Sequence, residues 1–124
     1  MKKGIFCEIV FNEIMPTVRA IIANRLINAY GLTQQEVAEK LGLTQPAVSH
    51  YKNRLRGKNF EKILSKKVMV SYIDSLSAEI VSKNIDPNLK VCEICKKSKE
   101  SGIFSKEEID SFICIIEVAK SNAV

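Results

Sequence analysis

In residues 32–51, LTQQEVAEKLGLTQPAVSHY, a single glycine separates two short helical patterns, and each pattern has its own start signal. Thr33 precedes Glu36 by three positions. At that spacing a cap hydroxyl and a carboxylate close on each other's backbone amides. Thr44 and Pro46 make the second start: a threonine that accepts a first-turn amide, then a proline where no amide donor is needed. Gly42 lies between them and tolerates the positive φ that a tight turn demands. Two helices of about eight residues joined this way must cross closely. Small Ala38 suits the point of closest approach, and branched Val48 is expected to be buried, with Leu41 and Tyr51 filling the flanking core positions.

That packing leaves Thr44, Gln45, Ser49, His50 and Asn53 on the outward face of the second helix. Glutamine bonds adenine bidentately, and serine or histidine donates to base edges or phosphates. Helix N-termini also attract phosphate. Arg54, Arg56 and Lys58 follow at the end of the helix, placed for a nucleic-acid backbone. The charge distribution agrees. The chain carries a net +5, and residues 33–67 hold eight basic and three acidic side chains, whereas residues 68–124 hold seven and nine. A local positive excess favours a polyanion, because neutralising phosphates releases condensed counterions.

The flanking sequence reads as helix throughout, with no strand pattern, repeat or low-complexity segment. Residues 5–15 suit a helix slightly better than a strand, with Ile9, Val10, Ile14 and Val18 near one face. Pro16 either starts a new helix or kinks one. Val18, Ile21, Ile22, Leu26 and Ala29 then recur at helical spacing up to Gly31, a left-handed cap. Arg56, Gly57 and Lys58 read as a loop. Phe60, Ile63, Leu64, Val68, Met69, Ile73, Leu76 and Ile80 form a stripe that fits one long helix or two shorter ones. Asp86 caps a further helix that ends at Gly102. Ser105 and Glu108 repeat the capping box before a last helix with Ile109, Phe112, Ile113 and Ile116 inward.

The run TQQEVAEKLGLTQPAVSHY resembles the Cro/phage-repressor (XRE) type of helix-turn-helix regulator. The wider run, from CEIV and IMPTVRAIIANRLINAYGLTQ to SHY, resembles a narrower group of predicted archaeal transcriptional regulators. Some of these carry a thiamin-phosphate-synthase-like sensor domain. No such domain is expected within 124 residues, so thiamin sensing is not carried over. The resemblance implies base reading by Gln45, Ala47, Ser49 and His50, and a phosphate contact near Gln34. Two departures stand out. Pro46 occupies a position that is often polar, and the turn after the second helix is longer than usual.

Four cysteines, Cys7, Cys92, Cys95 and Cys114, accompany no export signal, so a disulfide framework is not expected. Cys92 and Cys95 have the spacing of half a zinc site, but no second pair follows. The preferred reading is apolar packing, since Leu89, Cys92 and Cys95 fall at three-residue steps on a helix and Cys114 sits in the last apolar face. His50, the single histidine, has no nucleophile or acid partner in the pattern, and no enzymatic constellation is visible. No apolar run reaches the length of a membrane span, and Glu8, Asn12 and Glu13 interrupt the N-terminal apolar stretch.

The resulting expectation is an all-α, Cro/repressor-like helix-turn-helix bundle with additional C-terminal helices. Residues 1–58 hold the N-terminal helices and the motif at 33–55. Residues 59–124 complete the core and supply a dimer interface, with the N-terminal helix as a second candidate. The expected function is sequence-specific binding of double-stranded DNA by a cytoplasmic homodimer, with no cofactor and no membrane partner. The alternative is an interaction or metal/redox-sensing module built on Cys92 and Cys95.

Overall fold

The computed structural model describes residues 4–112 apart from Arg56, and excludes the side chains of residues 52–54. Every element among the described residues is helical, so the fold is all-α. The chain opens as one uninterrupted helical run. It consists of α1 (Phe6–Ile9), a π-turn (Val10–Ile14) and α2 (Met15–Asn28). Proline inside a helix lacks an amide and crowds the carbonyl four residues back. Here the turn ahead of Pro16 is widened, with Met15 N–H donating to the Val10 carbonyl five residues earlier. Pro16 therefore falls in the first turn of α2, where the π-turn gives way to the α-helix. Asn59 Nδ2 donates to the Glu13 carbonyl of this same turn at 3.2 Å, tying a later segment to it. Val10, Ile14 and Val18 are buried as the periodicity predicts, while Ala29 lies beyond the end of α2 and is exposed.

α3 (Gln34–Leu41) and α4 (Gln45–Arg54) follow, then α5 (Lys58–Leu64) and α6 (Lys67–Lys83). The long C-terminal stripe thus resolves into two helices, and Lys58 opens α5 instead of lying in a loop. The break at Ser65 and Lys66 resets the helical phase. Leu64, the last residue of α5, and Val68, in the first turn of α6, are 39% and 41% exposed. A 3₁₀ turn (Pro87–Lys90), started by Asp86 Oδ1 accepting the Asn88 amide at 2.9 Å, leads into α7 (Val91–Ser101). α8 (Lys106–Asp110) starts at the expected Ser105–Glu108 capping box.

α2 is the central post, packing on α3, α4 and α6. One contiguous core runs from Phe6 to Ile103 and takes in Ile22 and Leu26 of α2, Leu41 of α3, Val48 of α4 and Met69 and Ile73 of α6. Burying each such side chain stabilises the fold by about 1.5–3 kcal/mol before entropy is counted. Polar ties fix the periphery. Arg25 Nε lies 2.8 Å from Asp74 Oδ1, an ion pair between α2 and α6 rather than an in-line hydrogen bond. Tyr72 of α6 donates its hydroxyl to Glu93 Oε2 of α7 at 2.7 Å.

Apolar packing holds for Cys95, which is buried with Ile94 and Ser98, but not for Cys92, which is exposed, or Leu89, which is 81% exposed. Three residues advance a helix by about 300°, so a chain of three-residue steps drifts by about 60° each time. Leu89, in the 3₁₀ turn, and Cys92 have rotated off the buried side. Ile109 and Phe112 are half-buried, and Phe6 meets the rings of Phe104 and Phe112 edge-on at 5.1 and 5.9 Å. Ile113, Cys114 and Ile116 lie outside the described residues. No helix among the described residues is long and apolar enough to cross a membrane.

Candidate nucleic-acid interface

The site is built from two capped helices and the turn between them. Glu36 N–H donates to Thr33 Oγ1 at 3.1 Å, and Thr33 N–H donates to Glu36 Oε1 at 3.2 Å, so both halves of the first capping box are made. α3 ends at Gly42, whose φ is +65°. Leu43 N–H closes back on the Ala38 carbonyl at 2.8 Å and Gly42 N–H on that of Glu39 at 3.4 Å. This is a Schellman cap, which satisfies carbonyls the ended helix would orphan. Ala47 N–H then donates to Thr44 Oγ1 at 3.3 Å, and Pro46 sits in the first turn of α4.

Ala38, Leu41 and Val48 are buried, and Tyr51 is partly buried against the same core. Ala20, Ala23 and Ile27 of α2 face Val48, Tyr51 and Leu55 across one narrow cleft. α4 is therefore held from behind by α2 and from its N-terminal end by α3. Gln45, Ser49 and His50 remain exposed on its outer side. Thr44 is exposed too, but its oxygen serves as the cap. Ala47 is half-buried and backs the outer face. Lys58 is exposed at the start of α5. The side chains of Asn53 and Arg54, and Arg56 altogether, lie outside the described residues.

One pairing within the site has no counterpart in the sequence pattern. Ser49 Oγ donates to Gln34 Oε1 at 2.9 Å, joining the first residue of α3 to the outer face of α4. The two positions are separated by fifteen residues, and only the crossing of the helices brings them together. Lys40 Nζ donating to Asn84 Oδ1 at 2.8 Å is a second such tie, from α3 to the end of α6. Among the described residues, no group of three or more His, Cys, Asp and Glu side chains is gathered as a metal site would require.

Residues 22–65, about a third of the chain, match a family model described as Helix-turn-helix. No curated protein and no solved structure matches the chain. The match spans the second half of α2 through α5 and so contains both capped helices and the Gly42 turn. Residues 22–65 are a helix-turn-helix domain of the Cro/repressor (XRE) type, the kind of domain through which transcription regulators bind DNA.

Proposed function

We propose that the protein is a sequence-specific DNA-binding transcription regulator that acts in the cytoplasm as a homodimer, with α4 in the major groove. The observation that carries this reading is the polar outer face of α4. Gln45, Ser49 and His50 are all exposed on a helix whose opposite side is fixed by Val48 and Tyr51. Gln45 and His50 read bases, with Ser49, while Ala47 approaches a thymine methyl. Thr44, Asn53, Arg54, Arg56 and Lys58 hold the phosphates. Gln34 adds a backbone contact from the N-terminus of α3, where the helix dipole favours an anion.

A single α4 offers few base contacts, and domains of this kind gain specificity by pairing two half-sites about one helical turn, roughly 34–36 Å, apart. The helices after Gly57 are the proposed pairing surface. Exposed Leu64 and Val68 support it, and exposed Phe11 marks the N-terminal helix as the competing surface. In vitro selection from random duplexes at physiological salt tests the reading. The expected product is an inverted repeat. Recovery of no preferred sequence, with binding sensitive only to salt, would contradict it.

A further inference from the structure

A serine hydroxyl carries one proton and two lone pairs, whereas the glutamine side-chain oxygen carries lone pairs only. The 2.9 Å contact between Ser49 Oγ and Gln34 Oε1 therefore has one direction: Ser49 donates and Gln34 accepts. That bond uses the single Ser49 proton. What Ser49 still presents on the exposed face of α4 is an acceptor. Gln34 keeps both Nε2 protons, and what it presents is a donor. The pair thus sorts its partners, with a phosphate oxygen suiting Gln34 and an N–H donor suiting Ser49.

We propose that Ser49, held by Gln34, selects an exocyclic amino group in the major groove, the N4 of cytosine or the N6 of adenine. It correspondingly rejects the O6 of guanine and the O4 of thymine at the same position. This inference rests on the reading of α4 as the major-groove helix. Against an amino group the Oγ lone pair accepts without rearrangement. Against a keto oxygen two acceptors face each other, and relief requires breaking the bond to Gln34 and leaving its oxygen unpaired. An unrestrained serine would rotate to donate or accept and would distinguish the four bases poorly. Gln34 makes the hydroxyl one-sided while touching no base, so it acts as a positioning residue for specificity.

The experiment is duplex selection with four proteins: wild type, Ser49→Ala, Gln34→Met and Gln34→Glu. Ser49 is exposed and Gln34 is only half-buried, and thermal unfolding of each variant checks that the fold is kept. Wild type is expected to show, once per half-site, adenine or cytosine over guanine or thymine by roughly two- to tenfold. Ser49→Ala loses that preference. Gln34→Met relaxes the same position to all four bases and keeps the base preferences elsewhere in the site, while the loss of its phosphate contact weakens binding to every duplex alike. Gln34→Glu retains the preference, because its carboxylate accepts the same proton, although its charge weakens binding to every duplex. Three results would each overturn the inference while leaving base reading by α4 in place. These are a guanine or thymine at the Ser49-dependent position, no Ser49-dependent position at all, or an unrelaxed preference in Gln34→Met. Recovery of no preferred sequence by wild type would overturn the reading of α4 and the inference together.

Discussion

Leu43 N–H donates to the Ala38 carbonyl at 2.8 Å, reaching back across Gly42. The bond forms only if Gly42 keeps its φ of +65°, so one backbone torsion sets the angle between α3 and α4. A Cβ built on Gly42 would meet nothing within 4 Å, so the requirement is torsional and not steric crowding by neighbours. Gly42→Ala should then cost about 1–2 kcal/mol. Gly42→Asn should cost less, since asparagine visits the left-handed region more readily. Urea unfolding of the two variants checks the order. Equal losses would mean that the turn is held by something other than the torsion.

Lys58 stands at the first position of α5, where the helix dipole disfavours a cation. A residue that opposes local stability points to another use. Lys58→Ala should raise stability by a few tenths, to about 1 kcal/mol at most. It should also weaken binding to all duplexes alike and lower the salt slope by about 1. Melting curves and salt-dependent titrations are read together. Weaker binding confined to the best site would contradict a phosphate role.

Gln45 is exposed at the first turn of α4, clear of the Thr44 cap and of the Ser49–Gln34 pair. Gln45→Ala should weaken binding to the selected site by about 1–3 kcal/mol and leave scrambled duplex almost unaffected. Competition titration measures both. The same loss on both duplexes would place Gln45 on the backbone.

How much of this was legible follows the range of each interaction. Thr33, Thr44, Asp86 and Ser105 all cap where the sequence puts them, because a cap is settled within three residues. Gly42 and Val48 were legible for the same reason, since their spacing is internal to one motif. The exposure of Val68 was not, because a periodic stripe cannot show that Ser65 and Lys66 interrupt the helix ahead of it. Nor was the widened turn before Pro16, which is tied to Asn59 from far along the chain. Gln34 and Ser49 were each readable as site residues, but their bond exists only once α3 and α4 have crossed.

The two cysteines that share a short motif should behave differently. Cys92 is exposed and Cys95 is 5% exposed. A thiol reagent needs access to its target sulfur. Cys92 should be alkylated rapidly in folded protein, and Cys95 only as the protein unfolds, with peptide mass mapping as the readout. Equal rates would contradict the burial of Cys95 beside Ile94.

The Tyr72–Glu93 bond links stability to pH at both extremes. Its donated hydrogen bond holds the Glu93 carboxyl below its usual value, so this contribution is present above the ordinary carboxylate range and lost as acid protonates Glu93. Burial, then the bond to Glu93, pushes the Tyr72 hydroxyl above its usual value of 10.0. That contribution is present below the ordinary tyrosine range and lost as alkali ionises the phenol. Tyr72→Phe should therefore flatten both the acid and the alkaline limbs of a stability–pH curve. Limbs identical to those of wild type would mean the bond does not persist in solution.

Where DNA meets the protein is read most directly from the amide spectrum of isotope-labelled protein titrated with its selected duplex. If α4 is the reading helix, the amides of Thr44, Gln45, Ala47, Ser49 and His50 shift most and Gln34 shifts with them. The buried amides of α6 and α7 should hold their positions. Shifts centred on α6 and α7, with α4 unmoved, would contradict the assignment of the helix-turn-helix face as the DNA surface.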